Sequence, residues 1–190
     1  MIIKNNTDGK TAGVTKDHQL RTQAESHSLA HHIAVEHENV YVISTNYASV
    51  TAATNTLLHI VNDDPQRDLV LSQIAVEAIT DTASKPVSGE YFQTGFGTTR
   101  SSGGTLLTAL NTNSNSGKVA AVTAYGENPT VTGTFVEGYR KYHEGSGKET
   151  NLDVRDGSLI TLGTAFEIRL VSAGAGVAKV FLAFIMLDKL

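Results

Sequence analysis

Cysteine is absent from the 190 residues, which excludes disulfides, thiolate metal sites and a thiol nucleophile. Tryptophan is absent as well, removing the largest aromatic platform for stacking on a sugar. Three prolines are too few for a proline-rich stalk. Charged residues make up 18 % of the chain, less than long solvated helices rich in Glu and Lys would bring. The net charge is −4 and no basic cluster stands out, so no nucleic-acid partner is expected. The longest apolar run, Val180 to Leu187, is too short for a membrane-crossing helix, and no membrane partner is expected. Met1 to Gly13 carries no apolar core of a secretion signal, so none is expected. The sequon Asn5-Asn6-Thr7 then reads as chance.

Gly, Thr, Ser and Asn fill the space that charge leaves. Thr fits a pleated surface, while Gly and Asn tolerate the positive φ of tight turns. Residues 1–26 are polar, with Lys4, Asp8, Lys10, Lys16, Asp17, Arg21 and Glu25 among few large apolar groups. They read as an extended N-terminal arm or tail, with a thin helical face at Leu20, Ala24 and Ser28. Residues 27–190 read as one β domain. Alternation and short apolar runs predict strands at His31–Glu36, Val40–Ile43, Asn55–Val61 and Asp68–Ile79. In the last of these, Val70, Ile74 and Val76 are expected on one face and Leu69, Leu71 and Ile79 on the other. Asn62-Asp63-Asp64-Pro65 is strong turn chemistry between two of them.

Further strands are expected at Glu90–Phe96, Val119–Tyr125, Thr130–Tyr139, Leu159–Leu162 and Ala165–Val171. The last points Phe166, Ile168 and Leu170 inward and Glu167 and Arg169 outward. Asn111–Gly117 reads as a polar turn, and residues 139–151 as a charged, exposed loop. Gly174-Ala175-Gly176 turns the chain into a final strand, Val177–Leu187. About nine strands with turn signals between them indicate an all-β sandwich or barrel. The final strand is apolar on both faces: Val180, Leu182, Phe184 and Met186 on one, Val177, Phe181, Ile185 and Leu187 on the other. A two-layer sandwich strand normally has one polar face, so the second face calls for a cover, either an internal layer or a partner subunit.

No catalytic constellation is recognisable in the residue pattern. His27, His31, His32 and His37 cluster, but the Ser28-Leu29-Ala30 spacer lacks the acid of a zinc-protease helix, and a strand would scatter them. No metal and no cofactor are expected. Gly145-Ser146-Gly147-Lys148-Glu149 fails as a phosphate loop, because Tyr142 replaces its first glycine and Glu149 its Ser/Thr. No G-x-S-x-G elbow occurs. Gly95-Phe96-Gly97 lacks the third glycine of a dinucleotide turn. Asn151, Asp153 and Asp156 do not have the spacing of an EF-hand. The chain is not expected to be an enzyme.

Three local patterns carry a resemblance. They are Asn55-Thr56-Leu57-Leu58-His59-Ile60-Val61-Asn62-Asp63-Asp64 followed by Asp68-Leu69-Val70-Leu71, then Ser102-Gly103-Gly104-Thr105 followed by Leu110-Asn111-Thr112-Asn113, and the terminal Val180–Leu187 strand. Across about residues 40–187 the chain resembles small virion structural proteins of tailed bacteriophages, of the capsid decoration or cement type. The resemblance implies an antiparallel two-sheet, jelly-roll-like sandwich. It also implies a homotrimer that binds the major capsid protein on the capsid surface after assembly in the host cytoplasm. The residues expected at interfaces are Ile2, Ile3, Val14 and Leu20 of the arm, and Phe181, Ile185 and Leu187 of the last strand. Alternatives are a tail or fibre-base component, or a carbohydrate-binding sandwich using Tyr125, Tyr139 or Tyr142. A metal-dependent enzyme built on the histidine group is a third, distant reading.

Overall fold

A computed structural model describes residues 39–80, 90–143, 147–152 and 158–189, together with the backbone of 2–4, 11–14 and 20–21. No helix occurs among the described residues. The strands in chain order begin with β1 (Ile2–Lys4), β2 (Thr11–Val14) and β3 (Leu20–Arg21). There follow β4 (Val40–Ser44), β5 (Ala48–Val50), β6 (Thr54–Asn62), β7 (Arg67–Thr80), β8 (Tyr91–Ser102), β9 (Thr105–Leu107) and β10 (Leu110–Asn111). The remainder are β11 (Val122–Gly126), β12 (Thr130–Tyr142), β13 (Lys148–Leu152), β14 (Leu159–Ile160), β15 (Ala165–Val171) and β16 (Gly176–Asp188).

Two antiparallel sheets form the sandwich. One runs β10-β4-β16-β7-β13, with β14 also on β7 and β5 also on β16; the other runs β12-β8-β15-β6-β11-β9. The strands β5, β9, β10, β11 and β14 are excursions within connections, and eight strands remain. Of these the first pairs with the eighth (β4 with β16) and the second with the seventh (β6 with β15). The third pairs with the sixth (β7 with β13) and the fourth with the fifth (β8 with β12). A chain doubled back on itself and rolled so that these pairs fall alternately in two sheets is a jelly roll. The all-β, two-sheet, jelly-roll reading of the sequence therefore holds.

The core lies between the sheets. From β16 come Val180, Leu182, Phe184 and Met186, from β15 Phe166, Ile168 and Leu170, and from β6 Leu58 and Ile60, all essentially inaccessible. Tyr41 of β4 stacks on Phe184, ring centroids 5.7 Å apart. The β7 strand departs from simple alternation. Ala183 faces Gln73 while the next residue, Phe184, faces Leu71, so Ser72 is an extra residue in a bulge. A bulge inverts the phase of the pleat. Leu69 and Leu71 thereby join Ile74, Val76 and Ala78 in the core, and Val70 turns outward. The expected division of β7 into two apolar sets is corrected accordingly.

A second correction concerns residues 139–151. The β12 strand continues to Tyr142, and β13 pairs in unbroken register with β7, Lys148 opposite Ala78 through Leu152 opposite Ile74. Charge on the outward positions masked the strand: Thr150 and Leu152 are buried between the exposed Glu149 and Asn151.

The turn read at Asn62–Pro65 is the best-organised corner. Asn62 donates its amide to the carbonyls of Arg67 (3.0 Å) and Ile160 (2.9 Å). Its side-chain oxygen accepts the Asp64 N–H at 3.0 Å. Asp64 in turn accepts the backbone N–H groups of Gln66 (2.9 Å) and Arg67 (3.1 Å), and the Arg67 Nε at 2.7 Å. Burial pushes the Asp64 carboxyl up, but those backbone donors and the guanidinium outweigh it and hold it below the ordinary value.

In the arm, β1, β2 and β3 form a small antiparallel meander, with Ile2 opposite Gly13, Ile3 opposite Ala12 and Val14 opposite Leu20. Leu20 thus lies in a strand rather than on the helical face expected with Ala24 and Ser28, which are outside the described residues.

Candidate functional site

The outer face of the β16 sheet is the first candidate. Its central strand presents Val177, Lys179, Phe181, Ala183, Ile185 and Leu187 outward, as the alternation required. Register builds rows across the sheet: Val40–Ile185–Val70–Leu159, then Val42–Ala183–Gln73, Ser44–Phe181–Ala75 and Val177–Ile79. Leu110 extends the second row through Val42. Phe181 and Leu187 are open at 36 % and 37 % exposure, and Ile79, Leu110 and Leu159 more so. Ile185, at 6 %, is already covered and has little left to give a partner. One ionic row interrupts the apolar ones. Lys179 Nζ lies 2.8 Å from Glu77 and 4.7 Å from the Tyr47 ring centre. The hydrogen bond to Glu77, then the one to Tyr47, raises the Lys179 pKa, so the ammonium stays charged.

The arm residues Ile2, Ile3, Val14 and Leu20 all fall within β1–β3. Pairing brings Val14 and Leu20 opposite one another.

The outer face of the other sheet is built differently. One row crosses it: Tyr125 (β11), His59 (β6), Glu167 (β15), Gly95 (β8) and Glu137 (β12). Glu167 points outward as expected, yet it is fully buried. Its carboxylate accepts Thr56 Oγ1 and Thr98 Oγ1, each at 2.6 Å. Arg169 adds a fork, Nε at 2.5 Å and Nη2 at 3.0 Å. The cover comes from β12. Gly133 faces Thr98 and Val136 faces Phe96, leaving Thr134 and Phe135 bulged opposite Gly97. Phe135 swings back over the sheet, its ring centre 3.8 Å from the Arg169 guanidinium carbon. Gly95 permits this, because a Cβ there would come within 2.6 Å of the Phe135 ring and 2.3 Å of the Val136 carbonyl.

Beside this cluster lies a pocket of about 540 Å³. It opens where β15 begins at Ala165 while β8 runs on past it through Gly97–Arg100. His59, Thr123, Tyr125, Thr164 and Ala165 also line it. His59 is 1 % exposed; its Nε2 sits 3.4 Å from the Thr98 carbonyl and its Nδ1 has no hydrogen-bond partner among the described residues. Arg100 reaches across with its guanidinium carbon 3.5 Å from the Tyr125 ring centre and its Nε donating to the Gly103 carbonyl at 2.9 Å. Neither His59 nor Arg100 was singled out from sequence. The available signal was a histidine inside an otherwise apolar strand, Leu57-Leu58-His59-Ile60, but only register shows what stands beside it.

A second buried acid closes one end of the sandwich. Glu90 accepts Ser172 Oγ and the Ala173 N–H, each at 3.0 Å, and Thr80 Oγ1 at 3.2 Å. His143 Nδ1 lies 3.5 Å from it, with the ring edge-on to Phe92. Glu90 is tied to the backbone as well as to side chains, so the arrangement braces the ends of β7, β8, β12 and β15.

His27, His31, His32 and His37, and with them the strand at His31–Glu36, lie outside the described residues, as do Asp153 and Asp156. Among the described residues no group of three metal-ligating side chains occurs. Lys148 and Glu149 open a strand rather than the helix a phosphate loop needs. Gly95 and Gly97 sit in mid-strand. Tyr139 packs against the core, whereas Tyr142 is exposed edge-on to Tyr91 at 6.0 Å. Comparison with protein-family models, with curated proteins and with solved structures gives no match.

Proposed function

We propose that this protein is a non-enzymatic virion structural protein, a capsid decoration or cement subunit that acts as a homotrimer on the major capsid protein. The observation that carries the reading is the outer face of β16: Phe181, Leu187 and Ile79 are exposed and Val177 half-buried, apolar side chains interspersed with the Lys179–Glu77 pair, on a sheet whose inner face is already packed. A twisted apolar sheet face is buried best by another sheet laid across it at a small angle. In a cyclic trimer this face meets a different surface of the next copy, not the same face, and a stable contact needs about 800 Å² from each partner. The jelly-roll topology suits the role, since strand pairs closing end to end give a stiff body with loops at both ends. The arm supplies a second contact, its apolar positions Ile2, Ile3, Val14 and Leu20 set in short strands that can extend a neighbour's sheet.

The mechanism is mechanical. Each copy adds association free energy across subunit boundaries, and many copies on one shell multiply a modest interface by avidity. A tail or fibre-base position would use the same faces. Immunogold electron microscopy of particles from producing cells tests the proposal. Regular labelling of particle heads is the expected result; labelling confined to tails moves the protein to the alternative, and label found only off particles overturns the reading.

A further inference from the structure

We propose that the pocket between β8 and β11 binds an acidic saccharide, with Arg100 holding its carboxylate and His59 with neighbouring threonines receiving its hydroxyl groups. The pocket belongs to the sheet opposite the β16 face, so it goes beyond the assembly reading and stands or falls separately from it. Its size, about 540 Å³, suits one sugar residue with part of a second. Among the described residues that line it, Arg100 is the one fully charged group, in a chain whose net charge is −4. A lone cation without a carboxylate neighbour in the wall favours an anion.

The Arg100 geometry makes the preference more specific. Stacking on Tyr125 fixes the guanidinium plane, and the Nε bond to Gly103 fixes its rotation in that plane. The two terminal nitrogens keep their donors, a planar fork that matches a carboxylate edge on. Tyr125, with one face taken by the guanidinium, is not a sugar-stacking platform; it serves as the backing plate of the arginine.

His59 adds the second half of the recognition. With Nε2 facing the Thr98 carbonyl, the neutral ring carries its proton on Nε2. Nδ1, without a hydrogen-bond partner among the described residues, is closed off as the ring stands, and a small turn of the ring toward the pocket lets it accept a ligand O–H. Thr123, on the same face of β11 as Tyr125, offers a hydroxyl on the adjacent row. A ligand that combines a carboxylate with several hydroxyls meets all three groups; inorganic phosphate meets the arginine alone with comparable strength.

Isothermal titration calorimetry of the full chain tests this with glucuronate, N-acetylneuraminate, glucose and inorganic phosphate as separate probes. The expected result is saturable binding of one or both acidic sugars, the stronger identifying the source, with glucose undetected. Arg100→Gln and Arg100→Lys, both at a partly exposed site, should melt like the parent and weaken acidic-sugar binding about tenfold or more. Thr123→Val should weaken it by a smaller factor. Binding of glucose as strong as that of the acids, binding of phosphate alone, or undiminished binding by Arg100→Gln would each overturn the proposal.

Discussion

Asp64 shows how a single corner residue holds two strands in place. Its carboxylate ties Gln66 and Arg67 across the link from β6 to β7, and its pKa lies below the ordinary value. A carboxyl depressed on folding contributes stability that is complete above its unfolded value, about 3.9, and is lost as pH falls through the lower folded value. Asp64→Asn should therefore destabilise the protein at pH 7 by about 1–3 kcal/mol, and the difference should shrink toward zero in strong acid, below the folded value. Urea titrations at the two pH values measure both. Glu167 carries a larger stake. Removing it leaves the Arg169 guanidinium under Phe135 without its partner, and Glu167→Ala should cost about 3–5 kcal/mol, read as a fall in the urea midpoint.

At the scale of elements, most strands were visible in the sequence and their edges were not. The alternation of Phe166, Ile168 and Leu170 against Glu167 and Arg169 gave β15 its correct faces. What alternation could not show is that an outward acid is buried, because its cover, Phe135, arrives from a bulge in a strand more than thirty residues earlier. Bulges also explain the misread phase of β7, where one inserted residue, Ser72, leaves no trace in hydropathy. β13 was missed because Glu149 and Asn151 occupy its outward positions and Lys148, at its start, is exposed as well. Gly95 is where this scale can be tested. Gly95→Ala forces Phe135 off the Arg169 guanidinium. It should lower the melting temperature and shift the Phe135 ring resonances, whereas Gly117→Ala, with open space around the added carbon, should do neither.

For the whole molecule, the resemblance supplied the jelly roll that local pattern left as sandwich or barrel, and pairing of the first strand with the last completes it. The pocket at His59 and Arg100 was illegible in advance, since it depends on which strands stand side by side. The doubly apolar last strand was legible, but the depth of Ile185 was not. Deleting residues 1–26 should leave the sandwich folded by circular dichroism while weakening attachment to particles; unchanged occupancy would remove the arm from the mechanism. Assembly through the β16 face is measured most directly by the solution mass of the full chain and of Phe181→Asp by multi-angle light scattering. The parent should run at three times the 20.2 kDa chain mass and the variant, still folded, at the single-chain mass. A parent at the single-chain mass, or a variant as large as the parent, would contradict assembly through the β16 face.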